Sequence, residues 1–323
     1  MKITCIGSGA FGISIAHLLA QKPDYQVTIW SHDKNFVSQC KKKKKLFVKD
    51  SFEVELLDNI SLTNSYDEAL DNAEVVFLLI NSKYFFDVIN ELRYYHLKNK
   101  VIFIGTKGML SISPYYLTLC AKKFLKCKKI AYFAGPNFAH DLIELHPALF
   151  TLATKNKSLY KIFRSIFPSM RVESIKCVES LELASVLKNI YAIGAGLIYA
   201  KYPSSSSIVS YSSFAFQEMC TLIEQTLSTS HIGDIKGILG DFFLTNMNNE
   251  SRNFSFGMAR YHSSNDASNY LKKNTVEGYD NLENIVHYLG KNIKYYPIFY
   301  TIYDIIYKNK KADTLIDICF KRS

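Results

Sequence analysis

Met1-Lys2-Ile3-Thr4-Cys5-Ile6-Gly7-Ser8-Gly9-Ala10-Phe11-Gly12 opens the chain, and its reading decides the fold. Ile3 to Ile6 is a short apolar run with β character, and a helical segment is predicted from Phe11 to Gln21. Between them stands the pattern G-x-G-x-x-G. Gly7 permits a tight turn, Gly9 lets a pyrophosphate approach backbone N–H groups, and Gly12 allows close helix-on-strand packing. Glycine-rich turns are common, so the pattern by itself is weak. Placed between a first strand and a helix, with a second strand following, it reads as a nucleotide-binding turn. The same run reads as a strand rather than a signal peptide, because glycines follow after only a few apolar residues.

Outward from this turn, apolar runs alternate with amphipathic segments, the signature of parallel βα units. Strands are predicted at 3–6, 26–30, 75–80, 101–105, 130–133 and 149–153, and helices at 11–21, 84–95, 114–125 and 158–167. Beyond Cys177 the period-two alternation disappears and long helix-compatible segments take over, at roughly 179–201, 208–228 and 235–244 with shorter ones after. The run Pro203-Ser204-Ser205-Ser206-Ser207 separates the first two. The expected fold is therefore an α/β Rossmann-type doubly wound sheet followed by an all-α C-terminal domain, with a dinucleotide-binding domain at 1–178 and a helical substrate and catalytic domain at 179–323. Ligands of such sheets bind at the carboxyl ends of the strands.

Bulk properties bound the function classes. With 323 residues, two domains are the better expectation, and 48% hydrophobic with 21% charged residues is ordinary for a globular protein. The formal charge is +10, part of it in the run Lys41 to Lys45, which reads as a solvated loop or helix end. No helix-turn-helix, zinc-finger or ribonucleoprotein pattern accompanies it, so no nucleic-acid partner is expected. Seven cysteines with no C-x-x-C pair fit reduced thiols and a cytoplasmic setting, and no metal-binding pattern stands out. Leu181 to Ala200 is apolar but broken by Glu182, Lys188 and Asn189, so no integral membrane segment is expected.

That interruption carries the chemistry. In Leu187-Lys188-Asn189-Ile190-Tyr191-Ala192-Ile193-Gly194-Ala195-Gly196 a lysine lies within an otherwise apolar helix. A buried ammonium is costly, and burial lowers its pKa, which suits a general base. Lys107, in Gly105-Thr106-Lys107-Gly108, follows a predicted strand where substrates bind, although a lysine in a loop is more often simply solvated. Gly135-Pro136-Asn137-Phe138-Ala139-His140-Asp141 follows another strand and enters a helix, whose start suits an anion; its plain reading has Asn137 as the cap. Arg252, in Ser251-Arg252-Asn253, offers a bidentate fork for phosphate. Asp241 either caps a helix or orients Lys188. After the second strand, Trp30-Ser31-His32-Asp33-Lys34 offers an acid for the ribose of NAD and polar or basic groups for the 2′-phosphate of NADP, which leaves NADP or NAD open. Tyr94-Tyr95-His96-Leu97-Lys98 matches the Y-x-x-x-K spacing of short-chain dehydrogenases but precedes a strand instead of lying in a long helix, so it is read as chance.

Taken in order, Gly7 to Gly12, Thr106-Lys107-Gly108, Gly135 to Ala139, Leu187 to Ala192, Gly240-Asp241 to Thr245, Ser251-Arg252-Asn253, Phe256-Gly257 and Val276-Glu277-Gly278-Tyr279 resemble the motif series of the bacterial-type NAD(P)-dependent sn-glycerol-3-phosphate dehydrogenases. The resemblance runs from the first strand to the last helices. It implies hydride transfer between NAD(P)H and dihydroxyacetone phosphate, yielding glycerol 3-phosphate for phospholipid synthesis, and a homodimer. It also implies catalytic Lys188, Lys107 and Asp241, and substrate contacts from Lys107, Gly135, Asn137, Lys188, Asp241, Ser251, Arg252 and Asn253. The implied cofactor set is Gly7, Gly9, Ala10, Phe11, Gly12, His32, Lys107, Ala139, Arg252, Thr275 and Glu277. The chain departs from the series at Phe11, Ile238, the serine-rich segment 202–213 and Asp280. The alternatives are a β-hydroxyacid dehydrogenase or ketopantoate reductase, which combine the same domain types, and a nucleotide sensor that has lost turnover.

Overall fold

The computed structural model describes residues 1–48 and 52–321 and divides into two compact units. The first comprises Met1–Thr106 and Tyr116–Val178, the second Lys107–Tyr115 and Glu179–Ser323.

In the first unit the strands are β1 (Lys2–Ile6), β2 (Gln26–Trp30), β3 (Lys45–Val48), β4 (Phe52–Glu55), β5 (Ile60–Thr63), β6 (Val75–Leu78), β7 (Val101–Ile104), β8 (Ile130–Ala134), β9 (Leu149–Ala153) and β10 (Arg171–Ile175). The helices are α1 (Ala10–Ala20), α2 (Lys34–Lys43), α3 (Tyr66–Leu70), α4 (Phe85–Leu92), α5 (Leu117–Leu125), α6 (Ala139–Ile143) and α7 (Lys157–Ile166). Eight strands form one sheet in the order β10-β9-β8-β7-β6-β1-β2-β5, and β3 and β4 form a separate antiparallel pair. Strands β6, β7 and β8 are buried along their whole length, as expected where both faces of a parallel sheet are covered. Phe77, Phe103, Phe133, Phe150, Phe163 and Phe167 interlock beneath the sheet with ring centroids 4.9–5.9 Å apart, mostly tilted or edge to face.

One pairing departs from the expected parallel βα order. β9 runs antiparallel to β8, and β10 runs parallel to β9. The connection from β8 to β9 carries one helix of five residues, α6, in place of the longer crossover helix of the usual parallel βα unit. Strands β5 and β10, the β3–β4 pair and helix α2 were not among the predicted elements. β5 and β10 sit at the two edges of the sheet, β10 with no residue of its five fully buried, so neither has the continuous apolar run that marks a central strand.

The second unit is helical: α8 (Val178–Lys201), α9 (Ser205–Leu227), α10 (Lys236–Asn246), α11 (Arg252–His262), α12 (Ser264–Lys273), α13 (Glu277–Leu289), α14 (Pro297–Tyr307) and α15 (Asp313–Phe320). α8 is its central helix. It is long and apolar enough to cross a membrane by length and composition, with a mean hydropathy of 1.4, yet 89% of that window is buried inside the protein. Its glycines explain how tightly it is surrounded. A Cβ on Gly196 would stand 1.9 Å from the carbonyl oxygen of Phe254, and one on Gly257 of α11 would stand 2.0 Å from that of Ile193. The two backbones meet where neither helix carries a side chain.

Candidate active site

In the first unit the glycine turn has the geometry its sequence implied. Gly7 adopts φ +125°, and a Cβ there would collide with the carbonyl oxygen of Leu79 at 2.5 Å. A Cβ on Gly12 would lie 2.2 Å from the oxygen of Gly7. Gly9 differs: a Cβ there meets nothing within 4 Å, so its openness faces space that the protein leaves unfilled. Gly9 is also the N-cap of α1, no side chain caps this helix, and no acidic residue occupies its first turn, around Ala10 and Phe11. Such a helix start presents backbone N–H groups and a positive dipole end to an anion. A cofactor pyrophosphate fits these residues.

After β2, Ser31 is buried and its hydroxyl lies 2.7 Å from that of Ser8 in the glycine turn. His32 is exposed. Asp33 caps α2, with Oδ1 accepting from the backbone N–H groups of Asn35 at 2.8 Å and Phe36 at 3.1 Å. The lysine run ends α2 and begins β3 as exposed side chains. Gly135 has φ +155°, and a Cβ there would meet the oxygen of Leu149 at 2.2 Å. Asn137 is not the cap of α6, whose N-cap is Phe138. Its Nδ2 donates to Leu149 O at 3.0 Å instead, leaving Oδ1 buried with no hydrogen-bond partner. Ala139 begins α6, and its carbonyl accepts from Ser14 Oγ of α1 at 2.7 Å.

The second unit gathers Lys188, Asp241 and Lys107. Asp241 lies within α10 and caps nothing; it forms a buried ion pair with Lys188. Lys188 Nζ also donates to Thr245 Oγ1 at 3.0 Å, and Thr245 is fixed by donating to Asp241 O at 2.7 Å. Asp241 and Thr245 are four residues apart, hence on one face of α10. Asn246 Nδ2 donates to the oxygens of Phe242 at 2.9 Å and Lys188 at 3.3 Å, tying the backbone of the lysine to α10. Lys107 reaches this cluster because the strand that ends at Ile104 continues into a segment anchored on α13: Met109 N donates to Asn281 Oδ1 at 2.9 Å, and Asn284 Nδ2 donates to Met109 O at 3.0 Å.

Electrostatics sets the two lysines apart. Burial pulls Lys188 down, the Asp241 carboxylate opposes that pull and the Lys107 charge adds to it, leaving the amine at about 8. Burial also weighs on Lys107, but Asp241, Glu277 and a hydrogen bond to Lys188 outweigh it and raise its pKa. The physical result is one resident ammonium, Lys107, beside one amine that gains and loses a proton near neutral pH. A neutral Lys188 has two N–H groups for Asp241 and Thr245 and one lone pair to take up a proton, which is the state a proton acceptor needs.

A second set of hydrogen bonds holds the neighbours. Asn189 Nδ2 donates to Glu277 Oε2 at 3.1 Å, its Oδ1 accepts from Asn253 Nδ2 at 3.0 Å, and Asn253 Oδ1 accepts from Gly278 N at 2.8 Å. Gly278 is required, since a Cβ there would stand 2.5 Å from Asn189 O. Ser251 Oγ caps α11 through Phe254 N at 3.4 Å, so Arg252 is the first residue of that helix. Arg252 is exposed, has no hydrogen bond or ion pair to another described residue, and its charge presses on Lys107. Thr275 is exposed in the turn before α13. Thus Lys107, Lys188, Asp241, Ser251, Arg252, Asn253, Thr275 and Glu277 belong to the second unit, and Gly7 to Gly12, His32, Gly135, Asn137 and Ala139 to the first. The sequence reading omitted Asn189, Thr245 and Asn246 as site residues. Thr245 was reachable from its i,i+4 relation to Asp241; Asn246 was not, because its role depends on which helix lies opposite.

The sequence matches the profile of the NAD-dependent glycerol-3-phosphate dehydrogenase N-terminus over residues 2–160 and that of the C-terminus over residues 178–317. It is 27% identical over 327 residues to a protein of Ehrlichia canis (strain Jake) named glycerol-3-phosphate dehydrogenase (NAD(P)+), covering 98% of this chain and 99% of the relative. The structure is similar to that of glycerol-3-phosphate dehydrogenase from Coxiella burnetii, with a TM-score of 0.89 at 21% identity over 99% of each chain. A ketopantoate reductase structure from Ralstonia eutropha JMP134 shares the fold more distantly, with a TM-score of 0.61 at 13% identity over 98% of this chain and 100% of that one. With both halves matched in order by one family's profiles, the chain belongs to the NAD-dependent glycerol-3-phosphate dehydrogenases.

Proposed function

We infer that this protein catalyses the NAD(P)-dependent interconversion of dihydroxyacetone phosphate and sn-glycerol 3-phosphate, supplying glycerol 3-phosphate for phospholipid synthesis. The observation that carries the reading is the buried Lys188 amine, held by Asp241 and Thr245 beside the Lys107 ammonium. Family membership supplies the substrate pair.

In this reading NAD(P)H, when bound, supplies the hydride. Gly7, Gly9, Ala10, Phe11, Gly12, His32 and Ala139 of the first unit would hold it, with the uncapped start of α1 receiving the pyrophosphate. During reduction, protonated Lys188 gives its proton to the developing C2 alkoxide, and the neutral amine that remains keeps its bonds to Asp241 and Thr245. During oxidation the same amine takes the proton of the C2 hydroxyl. The Lys107 ammonium stabilises negative charge on the substrate oxygen and keeps Lys188 readily deprotonated. Arg252, uncommitted among the described residues, binds the substrate phosphate as a fork, so that binding at the unreactive end orients the carbonyl. Ser251 and Asn253 set the start of α11 from which Arg252 projects. Gly135 and Asn137 are further substrate contacts, a reading supported by the buried, unpartnered Asn137 Oδ1. We further propose a cytoplasmic homodimer. The seven cysteines, all free thiols, accord with a reducing compartment.

The test is the fall in reduced-nicotinamide absorbance when purified protein receives dihydroxyacetone phosphate, with NADPH and NADH tried separately. The expected outcome is oxidation that Lys188→Ala reduces by about 100-fold or more while cofactor binding persists. Cofactor binding with no oxidation in the unaltered protein refutes the assignment.

A further inference from the structure

The far end of α11 carries a second concentration of positive charge that the proposed reaction leaves unused. A cavity of about 470 Å³ in the second unit is lined by Arg260, Tyr261, Ser264, Lys310, Lys311 and Asp313, among others. Arg260 follows Arg252 by eight residues on the same helix, about 12 Å along its axis. The cavity is thus separate from the Lys188 cluster.

Arg260 anchors it. One of its terminal nitrogens, Nη2, donates to Ile305 O at 2.7 Å and to Asn309 Oδ1 at 3.2 Å, which orients the guanidinium plane. Both acceptors are neutral, and no carboxylate pairs with this half-buried cation among the described residues. A guanidinium has five N–H donors, so unused donors and an uncompensated charge remain. The turn after α14 passes through Asn309 at φ +53° and brings Lys310 and Lys311 to the same cavity. Lys311 has no acid partner among the described residues. Lys310 lies 3.6 Å from Asp304 Oδ2, but Asp304 is already held by Lys308 at 2.8 Å. Asp313, the carboxylate lining the cavity, is engaged by Lys201. The nearby acids are therefore spoken for by lysines, with Lys308 and Lys310 sharing Asp304, while the fixed Arg260 guanidinium and the Lys311 ammonium meet at the cavity without a carboxylate partner among the described residues.

We propose that this cavity is a second anion site that takes a phosphoryl group. Arg260 supplies a pre-oriented planar donor set, Lys310 and Lys311 close around it as mobile point charges, and the Ser264 and Tyr261 hydroxyls offer neutral donors at the wall. The group arrives either on a free phosphorylated metabolite or on a phospholipid headgroup, since the recognised chemistry is the same.

Calorimetric titration with inorganic phosphate tests it, using full-length Arg252→Ala protein so that the proposed substrate phosphate holder is absent. A single saturable binding event is expected, weakened about tenfold or more when Lys310→Ala and Lys311→Ala are added. Both lysines are exposed, so this pair of changes leaves the fold intact, and with Arg252 restored it leaves the unliganded rate of dihydroxyacetone phosphate reduction unchanged. Arg260→Gln serves as the third probe and should lose binding as well. No saturable binding in the Arg252→Ala protein, or equal affinity with and without the lysines, overturns the proposal. Cosedimentation with vesicles of equimolar phosphatidylcholine and phosphatidylglycerol separates the sources. Retention lost in the lysine double variant and displaced by phosphate assigns a headgroup. Phosphate binding without retention assigns a soluble ligand, and retention that survives the double variant overturns the headgroup source. This outcome is independent of whether the Lys188 reading holds.

Discussion

Replacing Asp241 by Asn preserves side-chain shape and deletes the charge, so it isolates what the carboxylate does to Lys188. Burial drives Lys188 down to about 8, with Asp241 opposing and Lys107 adding to that pull. Removing an opposite charge at contact shifts a buried group by about one to three pH units, or about 1.4–4 kcal/mol between protonation states. In the proposed reaction ketone reduction uses protonated Lys188, so its rate is expected to be carried below the pKa and lost above it. In the unaltered protein the loss comes as pH rises through about 8, and in Asp241→Asn it comes one to three units earlier. At neutral pH that difference alone costs about twofold in reduction rate for a shift of one unit, about tenfold for two and about ninetyfold for three, before any loss of orientation. Alcohol oxidation uses the neutral amine, and its rising limb moves the same way. The assay is the initial rate in both directions across pH at saturating substrate. A variant that is slower but has an unmoved midpoint would refute the reasoning, because Asp241 would then support shape alone and another group would set the profile.

Three more outcomes follow from the geometry. Gly9→Ala should keep its melting temperature while NADPH binding weakens about tenfold or more, because its Cβ meets only open space; Gly12→Ala, aimed at the oxygen of Gly7, should lower the melting temperature as well, and identical behaviour of the two would contradict the assignment of Gly9 to the ligand. Arg252→Lys retains the charge and loses the planar fork, so KM for dihydroxyacetone phosphate should rise about tenfold with kcat less affected; an unchanged KM would remove Arg252 from the phosphate. Glu218 accepts from Tyr191 Oη at 3.0 Å and from the N–H groups of Ile298 and Phe299 at 2.8 and 2.7 Å, and burial raises its pKa above the usual carboxylate value. A carboxyl raised in the folded state contributes stability that is full below its unfolded pKa and is lost as pH rises through the folded value. Glu218→Gln should therefore flatten that part of the melting-temperature profile, and an unaltered pH dependence would exclude Glu218 as its source.

The local sequence determined a good deal. Gly7 and Gly12 are constrained by the turn itself and by the strand beside it, while Gly9 faces open space, so the tight turn between β1 and α1 was legible from spacing. Strands β2 and β9 were read to the residue, since five β-prone residues bounded by turns leave little choice. Lys188 stood out because an ionisable residue breaks the apolar pattern of α8, a contrast that survives without any knowledge of what packs against it. Tertiary structure decided the rest. The antiparallel pairing of β9 with β8 is a choice of strand partner that the run 149–153 does not encode by itself, and the edge strands lack a continuous buried run to betray them. Asp241 was equally readable as a cap or a partner until α10 lay against α8, 53 residues away in sequence. Lys107 looked like a solvated loop charge until the anchoring of Met109 on α13 carried it out of the first unit and beside Lys188. Periodicity reports which face of an element is buried. The partner met on that face, and therefore the pKa of Lys188, is set by long-range packing that no local window contains.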